Sequence, residues 1–502
     1  MTTRHRSENK RGVIRAFLAI LMVGLSGAAN SAAPAEPATK KGSEQKPRVF
    51  RAGAATSNIT PPLGISMEGF IAPGAPAKHV HDELHARCLV LDDGETRIAL
   101  VIVDSTMITR EIFESAKARV QKEIRFPANR ILAAATHTHS TPRTSKDSPG
   151  ELDFEYHAFI AHRIADGIRR AVVNLAPAKI GWGSGRKPEF VFNRRLLMKP
   201  AGRAPNPFGE THEKVGTNPR GSGAEIIGPA GPVDPELFIL SVQHADGRPL
   251  AVLANYGLHY IGVTGAAAIS ADYFSAFADR LEGLLQANRQ DPPFVGLMFN
   301  GTSGDVNAVD FMKPGRPQPA YVRINEVADS IAREALRVYQ KIEHQTWVPI
   351  AMEESELQLA VRRPTPTRLE WAQGVWAATP NKSRLPGRKE IYARETLEVA
   401  KLPATVPVKL QAIRIGTLGI AAAPCEIFAS TGLEIKAQSP LRQTFTISLA
   451  NGYNGYLPTP KQHEFGGYET WLSRVSYLEV QASEKIRDEL LRLLGRVTTK
   501  SP

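Results

Sequence analysis

Two histidines one residue apart, His137 and His139, carry the clearest chemical signal in this sequence. They follow an apolar, strand-like segment at 130–136, and side chains two positions apart in an extended segment point to the same side. Two imidazoles that project together can both bind a metal ion, or one can bind it while the other moves protons. His-x-His pairs also occur on solvated surfaces, so this pair alone leaves a metal site and an ordinary polar surface both open.

Three later segments also carry polar groups that could take part in chemistry, and the first two of them end apolar runs. His259 ends the run at 255–259, where the alternative to a functional histidine is a core histidine bonded to the backbone. Glu426 follows the buried-type run IAAAP, and burial of its carboxylate is costly unless it is paired or bound to a metal. Tyr453 and Tyr456 lie in a glycine-rich loop. None of these segments is decisive alone.

The segments between these residues predict an α/β fold with a mixed β-sheet core flanked by helices, in a single large domain at 49–497. The predicted strands, of which the first two and the fourth and fifth form hairpins, lie at 87–91, 97–104, 130–136, 237–242, 250–255, 408–415 and 418–422. The predicted helices lie at 110–124, 273–286, 323–342 and 478–494. The Gly- and Pro-rich segment at 197–235 predicts a long functional loop, and 363–402 predicts a helical insertion.

The net charge is +12, and residues 1–50 contribute half of it because they hold nine Lys or Arg and three Glu. No later segment combines a dense run of Lys and Arg with interleaved aromatic residues. A groove that binds a nucleic-acid backbone needs that combination. We therefore expect no nucleic-acid partner.

The N-terminus has the order of an export signal. Residues 1–15 are basic, 16–29 form an uncharged apolar run, and small residues follow at 31–33. This order predicts a secretory signal peptide at 1–33, with an uncleaved anchor as the alternative, although the run is shorter than the ~20 residues of a spanning helix. The Pro-, Lys- and Glu-rich segment at 34–48 predicts a disordered spacer. We expect an exported protein, periplasmic or secreted, with at most peripheral membrane contact.

The two cysteines, Cys88 and Cys425, lie far apart in the sequence. Neither has the close spacing to a second ligand that is typical of a metal site. Two buried thiols that pack as small apolar groups are the favoured interpretation, and a disulfide is the alternative in an exported protein.

Taken together, these segments resemble the neutral/alkaline ceramidase family over about 51–496. The stretch at 51–62 (RAGAATSNITPP) is similar to the family's N-terminal G-x-G-x-x-D-I-T-x-P strand, and 81–87 (HDELHAR) is similar to its H-D-x-L-x-A-R. The HTHS at 137–140 matches the first part of its HTHSGPG block. The resemblance implies the family's catalytic N-terminal domain, without the C-terminal immunoglobulin-like domain of the full ceramidases.

The resemblance also implies a zinc site made by two His, one Glu and one Tyr. The matching ligand positions are His137, His259, Glu426 and Tyr456. His139 matches the non-ligating histidine of the family and is the candidate general base and acid. Arg194 and Tyr468 match residues of the family's site, and would orient the tetrahedral intermediate or a product carboxylate.

Two departures from the family pattern bear on the substrate. Asn307 stands where the family has a catalytic serine, and an amide cannot act as a nucleophile. Ser303 lies four residues earlier. Thr141-Pro142-Arg143 stands where the family has Gly-Pro-Gly, which adds bulk and charge next to the histidines.

The function implied by the resemblance is Zn²⁺-dependent hydrolysis of an N-acyl amide, ceramide-like, from N-acylsphingosine to a sphingoid base and a fatty acid. The expected partner is thus a lipid-like or other acyl-amide small molecule. One alternative is a zinc hydrolase of a different acyl amide or ester, which Asn307 and Arg143 favour. A second is a non-catalytic metal-binding relative, against which the complete set of ligand positions argues.

Overall fold

The computed structural model describes residues 48–68, 74–144, 151–219, 223–313, 317–382 and 385–499. One compact unit comprises Arg48–Pro502. The predicted signal peptide, and the predicted spacer apart from Arg48, lie outside the described residues. Among the helices of the described ranges, none is both long enough and apolar enough to cross a membrane.

Strands and helices alternate along the described chain. The strands are β1 Arg51–Asn58, β2 His79–Val80, β3 His85–Asp92, β4 Arg97–Val103, β5 Ile131–Ala135, β6 Ala176–Arg186, β7 Phe192–Asn193, β8 Arg195–Met198, β9 Val215–Thr217, β10 Ile226–Pro229, β11 Glu236–His244, β12 Pro249–Tyr256, β13 Ala268–Ile269, β14 Val295–Asn300, β15 Val306–Asn307, β16 Ile350–Ala360, β17 Thr405–Ile415, β18 Leu418–Ala422, β19 Glu426–Ile427, β20 Gln443–Ile447 and β21 Tyr456–Leu457. The helices are α1 Arg110–Ile124, α2 Glu151–Val173, α3 Asp272–Leu284, α4 Val322–Tyr339, α5 Pro366–Ala378, α6 Arg388–Ala400, α7 Ala429–Gln438, α8 Pro460–Phe465 and α9 Ala482–Thr499. The predicted α/β class is confirmed.

The larger sheet has eight strands in the order β14-β12-β11-β6-β1-β3-β4-β5. It is mixed, because β3 pairs with β4 and β11 with β12 in antiparallel fashion, whereas β4–β5 and β12–β14 are parallel pairs. Both predicted hairpins are therefore confirmed. In β4, Leu100 faces one hydrophobic cluster and Val101 the next, so both faces of the strand are buried. A strand buried on both faces is a continuous apolar run, and this is why the segment shows no polar alternation.

A second sheet, in the order β16-β17-β18-β20, packs face to face on the first. Leu100 and Leu253 of the larger sheet share one buried cluster with Ile413 and Phe445 of the second. Helices α1 and α2 cover one part of the outer face of the larger sheet, α3 and α4 cover another, and α9 covers the second sheet. The domain is thus built of four layers, helices outside and two sheets inside.

The chain after β20 joins the two edge strands of the larger sheet. Ser448 N–H donates to the carbonyl oxygen of Asn300 at the end of β14, and Ala135 N–H of β5 donates to that of Leu449. The Asn300 side-chain amide also donates to the Thr136 carbonyl oxygen, at 3.1 Å. The ends of β5 and β14, which lie at opposite edges in strand order, are therefore brought together. The loops that follow the edge strands meet at this end of the sheet.

One predicted segment differs from the structure in content, and the bounds of several others differ by a few residues. The segment at 197–235 was predicted as a loop, but it carries β9 and β10, which join β8 in a three-stranded sheet. These strands have three or four residues and contain Gly and Pro, so no periodicity is long enough to reveal them. The helical insertion is confirmed as α5 and α6, and the last helix begins four residues later than predicted.

Both cysteines are free and buried. Cys88 packs under α2 in the cluster of the larger sheet, and Cys425 lies in the cluster beneath α9. The favoured interpretation of two buried apolar thiols is confirmed, and burial raises the pKa of each thiol.

A buried lysine supports the loop after Ser448. Lys117 of α1 donates to Oδ1 of Asn451 at 2.7 Å, and the Asn451 amide donates to Oε1 of Gln411 at 2.7 Å. Asn451 has a left-handed backbone with φ of 62°, a conformation that asparagine tolerates better than most residues. Burial lowers the pKa of Lys117 to about 8. The charge of this buried lysine is therefore sensitive to moderately alkaline pH.

We predict that Lys117 makes the stability of the protein rise with pH between about 8 and about 10.4, the usual lysine value. In that window the unfolded chain binds the proton more tightly than the folded chain, so the free energy of unfolding increases as the proton is lost. Urea unfolding of the wild type and of Lys117→Met near pH 7 and near pH 9.5 measures the difference. The exposed Lys122→Met is the control. A wild-type advantage over Lys117→Met that does not grow with pH contradicts the prediction.

Candidate metal centre

His137, His139 and His259 meet in the interior, where one ring nitrogen of each lies within 4.8 Å of the other two. His137 and His139 follow β5, and His259 follows β12, so the joined ends of the larger sheet bring them together. Nε2 of His137 lies 3.1 Å from Nε2 of His259 and 3.3 Å from Nε2 of His139. A buried group of this kind can hold a metal ion.

The backbone fixes the orientation of two of these rings. Nδ1–H of His137 donates to the Thr106 carbonyl oxygen at 2.6 Å, and Nδ1–H of His259 donates to that of Ser303 at 2.9 Å. A carbonyl oxygen only accepts, so each Nδ1 carries the proton and each Nε2 presents its lone pair to the shared space. Metal-binding histidines typically have this second-sphere bond. His137 itself has a left-handed backbone, with φ of 74°, where the prediction assumed an extended segment.

Glu426 completes the same space. Strands β19 and β21 pair in parallel with Glu426 opposite Tyr456, so their register sets these two predicted ligands side by side. Oε1 of Glu426 accepts from the Tyr453 hydroxyl at 2.7 Å. Oε2 is buried without a hydrogen bond and lies 3.2 Å from Nε2 of His137 and 3.8 Å from Nε2 of His259. An unsatisfied buried carboxylate oxygen between two imidazole lone pairs is the environment that a cation would stabilise, so these residues fit a metal ion.

Burial disfavours the charged forms of two histidines and one tyrosine of the centre. Burial lowers the pKa of His139 and of His259 well below the usual range, and the nearby His137 and Arg194 add to the effect. Burial also raises the pKa of Tyr456 well above its usual value, with Glu426 as the next cause.

Arg194 and Glu469 form the wall beside the histidines. Arg194 donates from Nε to Oε1 of Glu469 at 2.9 Å and from Nη2 to the Gly304 carbonyl oxygen at 2.9 Å, and its Nη1 lies 3.4 Å from Nε2 of His259. Arg195 donates to the other carboxylate oxygen of Glu469 at 2.5 Å. Burial alone would raise the pKa of Glu469, but Arg195 and Arg194 overcome it and hold the pKa below its usual value. Two buried guanidinium groups therefore share one buried carboxylate.

Tyr456 and Tyr468 pack against this wall. Their rings are in edge contact, with centroids 5.5 Å apart, and the Arg194 guanidinium carbon lies 5.4 Å from the Tyr456 ring centre. Tyr468 precedes Glu469 and is partly exposed, whereas Tyr456 is buried. The two predicted tyrosines thus lie on the side of the centre that Arg194 borders.

Ser303 lies in the loop that follows β14 and Asn307 lies in β15, but their side chains form hydrogen bonds with other residues than the histidines. The Asn307 amide lies 3.5 Å from Oδ1 of Asn218, and its Oδ1 accepts from Val309 N–H at 3.2 Å. The Ser303 hydroxyl donates to Oδ1 of Asn300, and its carbonyl oxygen is the one that orients His259. The hydrogen bonds of the Asn307 side chain therefore go to residues other than the histidines.

Arg143 is buried rather than free beside the site. Its Nη1 lies 3.3 Å from Oε1 of Glu68, which is also buried. The charge that the sequence adds next to the histidines is therefore compensated within the fold.

No role was predicted for four residues of this centre, Arg195, Tyr260, Tyr453 and Glu469, although Tyr453 was noted in the glycine-rich loop. Each adjoins a predicted residue or shares its motif, so proximity in the sequence was a usable signal. Glu469 in particular follows Tyr468 directly, but an acidic residue in a polar segment has no pattern that reveals its burial.

The fold and this centre define an α/β protein with a buried candidate metal site. Residues 50–309 match the family model for neutral/alkaline non-lysosomal ceramidases, N-terminal part. This match covers His137, Arg194 and His259, whereas Glu426 and Tyr456 lie beyond it. The chain belongs to the neutral/alkaline non-lysosomal ceramidase family.

Individual relatives agree with this assignment. The neutral ceramidase of Pseudomonas aeruginosa is 25% identical over 228 residues, which are 43% of this chain and 31% of the relative. The chain thus matches about a third of the length of that curated relative. A solved structure described as ceramidase complexed with C2 has a TM-score of 0.68 at 18% identity and is matched over 91% of this chain and 76% of its own. The crystal structure of the Pseudomonas aeruginosa neutral ceramidase has a TM-score of 0.64 at the same identity and coverage. These two structures establish the fold.

We predict that Glu469→Gln lowers the free energy of unfolding by about 3–5 kcal/mol, because it leaves two buried guanidinium groups without their shared carboxylate. Urea unfolding measures the change. The matched control is Glu464→Gln on the surface, for which a change below about 0.5 kcal/mol is expected. Equal effects of the two substitutions would show that the buried ion group contributes little.

Proposed function

We propose that the protein is an exported, zinc-dependent hydrolase that cleaves an acyl amide bond, with a ceramide-like lipid as the substrate. The observation that carries the proposal is the convergence of two imidazole lone pairs on a buried carboxylate oxygen that has no other partner. Family membership supports the reaction class and the lipid-like substrate. The proposed export rests on the sequence of residues 1–33 alone.

The proposed ligands are His137, His259, Glu426 and Tyr456. Nitrogen and carboxylate ligands around an open position are typical of catalytic zinc. The chemistry that zinc supplies in such a site is Lewis acidity, which activates water for attack at neutral pH and polarises a carbonyl group. Tyr453 holds Glu426 through Oε1, which leaves Oε2 directed at the imidazoles.

His139 is the proposed general base and acid. Nε2 of His139 lies 3.3 Å from Nε2 of the proposed ligand His137. From this position His139 would take a proton from the attacking water and then deliver it to the leaving amine. The three-histidine group also permits His139 to be a ligand instead, and the experiment below separates the two roles.

Arg194 and Tyr468 are proposed to orient the substrate carbonyl. Glu469 and the Gly304 carbonyl oxygen fix the guanidinium group, which directs Nη1 towards the histidines. A preorganised cation at this position stabilises negative charge on the carbonyl oxygen as the amide carbon is attacked. Asn307 takes no part in this scheme, because water is the nucleophile.

A different acyl amide or an ester is the second candidate substrate. Asn307 replaces the family serine, and its side chain is engaged with Asn218 and with Val309 N–H. A substrate contact that the serine would make is therefore absent or altered. A panel of acyl amides and esters tests this candidate if ceramide is not cleaved.

The experiment measures fatty-acid release from a fluorescent short-chain ceramide, with and without a zinc chelator, together with metal content. We expect chelator-sensitive release and about one zinc per chain. His259→Ala should lose metal and activity together. His139→Ala should keep the metal and lose activity by about 10²- to 10⁴-fold, because only proton transfer is removed.

The control substitution is His162→Ala, an exposed histidine of α2, which should change neither quantity. Loss of metal in His139→Ala would make His139 a ligand. A His137→Ala protein that is free of zinc and fully active would contradict the proposal.

A further inference from the structure

Tyr260 forms a wall of the metal centre and has no role in the scheme above. It follows His259 directly, and its ring stacks on that of His139 with centroids 3.8 Å apart and planes 15° apart. The ring also lies 5.3 Å from that of His259. A stacked aromatic ring restricts the rotation of the imidazole that it covers, so Tyr260 contributes to the position of His139.

The backbone around Tyr260 is built to hold it there. The buried carboxylate of Asp272 accepts from Ile261 N–H at 3.2 Å and from Gly262 N–H at 2.8 Å. Gly262 has φ of +69°, and a Cβ at this position would lie 3.0 Å from Cε2 of the Tyr260 ring. A larger residue at 262 would therefore strain the backbone and press on the ring. The loop fixes the ring between Gly262 and His139.

The hydroxyl of Tyr260 makes no hydrogen bond to the described residues, unlike its neighbours along the chain. The Tyr256 hydroxyl donates to the Lys187 carbonyl oxygen, and the Tyr273 hydroxyl donates to that of Leu258. Tyr260 is partly exposed. A tyrosine hydroxyl at a largely buried position usually finds a partner. Here no described residue supplies that partner, and the ring borders His139 and His259.

We propose that Tyr260 determines specificity on the amine side of the scissile bond. Its ring positions His139, and its hydroxyl donates a hydrogen bond to a hydroxyl group carried by the leaving amine. We assign Tyr260 to the amine side because His139 delivers the proton to the leaving amine. A residue stacked on His139 therefore flanks the leaving amine. This inference rests on the proposed function.

The test compares two short-chain amides that differ only in a hydroxyl next to the amine-bearing carbon. For Tyr260→Phe, which keeps the stack on His139, we expect kcat/KM to fall by about 2- to 12-fold for the hydroxylated amide and to stay unchanged for the other. For Tyr260→Leu, which loses the stack, we expect kcat to fall for both amides. A kcat near that of the wild type for Tyr260→Phe, together with a lowered kcat for Tyr260→Leu, would show that the stacked ring positions His139.

The matched control is Tyr339→Phe, a partly exposed tyrosine far along the chain whose hydroxyl accepts from Gln243. It should leave both amides unaffected, and all variants should keep the metal content of the wild type. The proposal is overturned if Tyr260→Phe lowers kcat/KM equally for both amides or changes neither.

Failure of the proposed function is a separate outcome, seen when the wild type hydrolyses neither amide. In that case, isothermal titration calorimetry measures the affinity of the metal-loaded protein for each amide, and so tests the proposed contact of the Tyr260 hydroxyl. A weaker affinity of Tyr260→Phe for the hydroxylated amide alone supports the contact, and equal affinities of wild type and variant overturn it.

Discussion

A carboxylate oxygen of Glu426, buried between the Nε2 atoms of His137 and His259 without a hydrogen bond, is the constraint on which the rest of the site depends. Such a group is strongly unfavourable in a protein interior unless a cation or a donor compensates it. The surrounding hydrogen bonds do not reach this oxygen and leave it without a donor. Thr106 and Ser303 hold the imidazoles with their lone pairs inwards, and Tyr453 binds only the other oxygen.

The fold brings these groups together from distant parts of the chain. β5 and β14 are edge strands of the larger sheet, and the segment that begins at Ser448 joins their ends. The same segment leads into the loop that carries Tyr453 and Tyr456, which is anchored on Lys117 through Asn451. One short segment thus sets the distance between the histidines and the second half of the site. Charge is balanced close by, where Arg194 and Arg195 share Glu469.

Much of this arrangement could be predicted from the sequence because its parts are local patterns. The hairpin of β3 and β4 and the helix α1 follow from turn residues and periodicity, and α1 has the predicted bounds. The histidines could be recognised because each follows an apolar strand. The resemblance to a family assigned Glu426 and Tyr456 as metal ligands, a role that the residues alone left open.

Other features depend on tertiary contacts that no local pattern encodes. The burial of Glu469 requires two arginines 274 or more positions away in the chain. The strands within 197–235 are stabilised by pairing with β8 rather than by their own sequence. The left-handed backbone of His137 is imposed by the site, since a non-glycine residue adopts it only when its surroundings compensate the strain.

The most direct test of the account is a crystal structure of the zinc-loaded protein with diffraction data on both sides of the zinc absorption edge. We predict one anomalous peak about 2.0–2.2 Å from Nε2 of His137, Nε2 of His259 and Oε2 of Glu426. A zinc peak elsewhere in the molecule, with Oε2 of Glu426 bonded only to protein or water, would contradict the account.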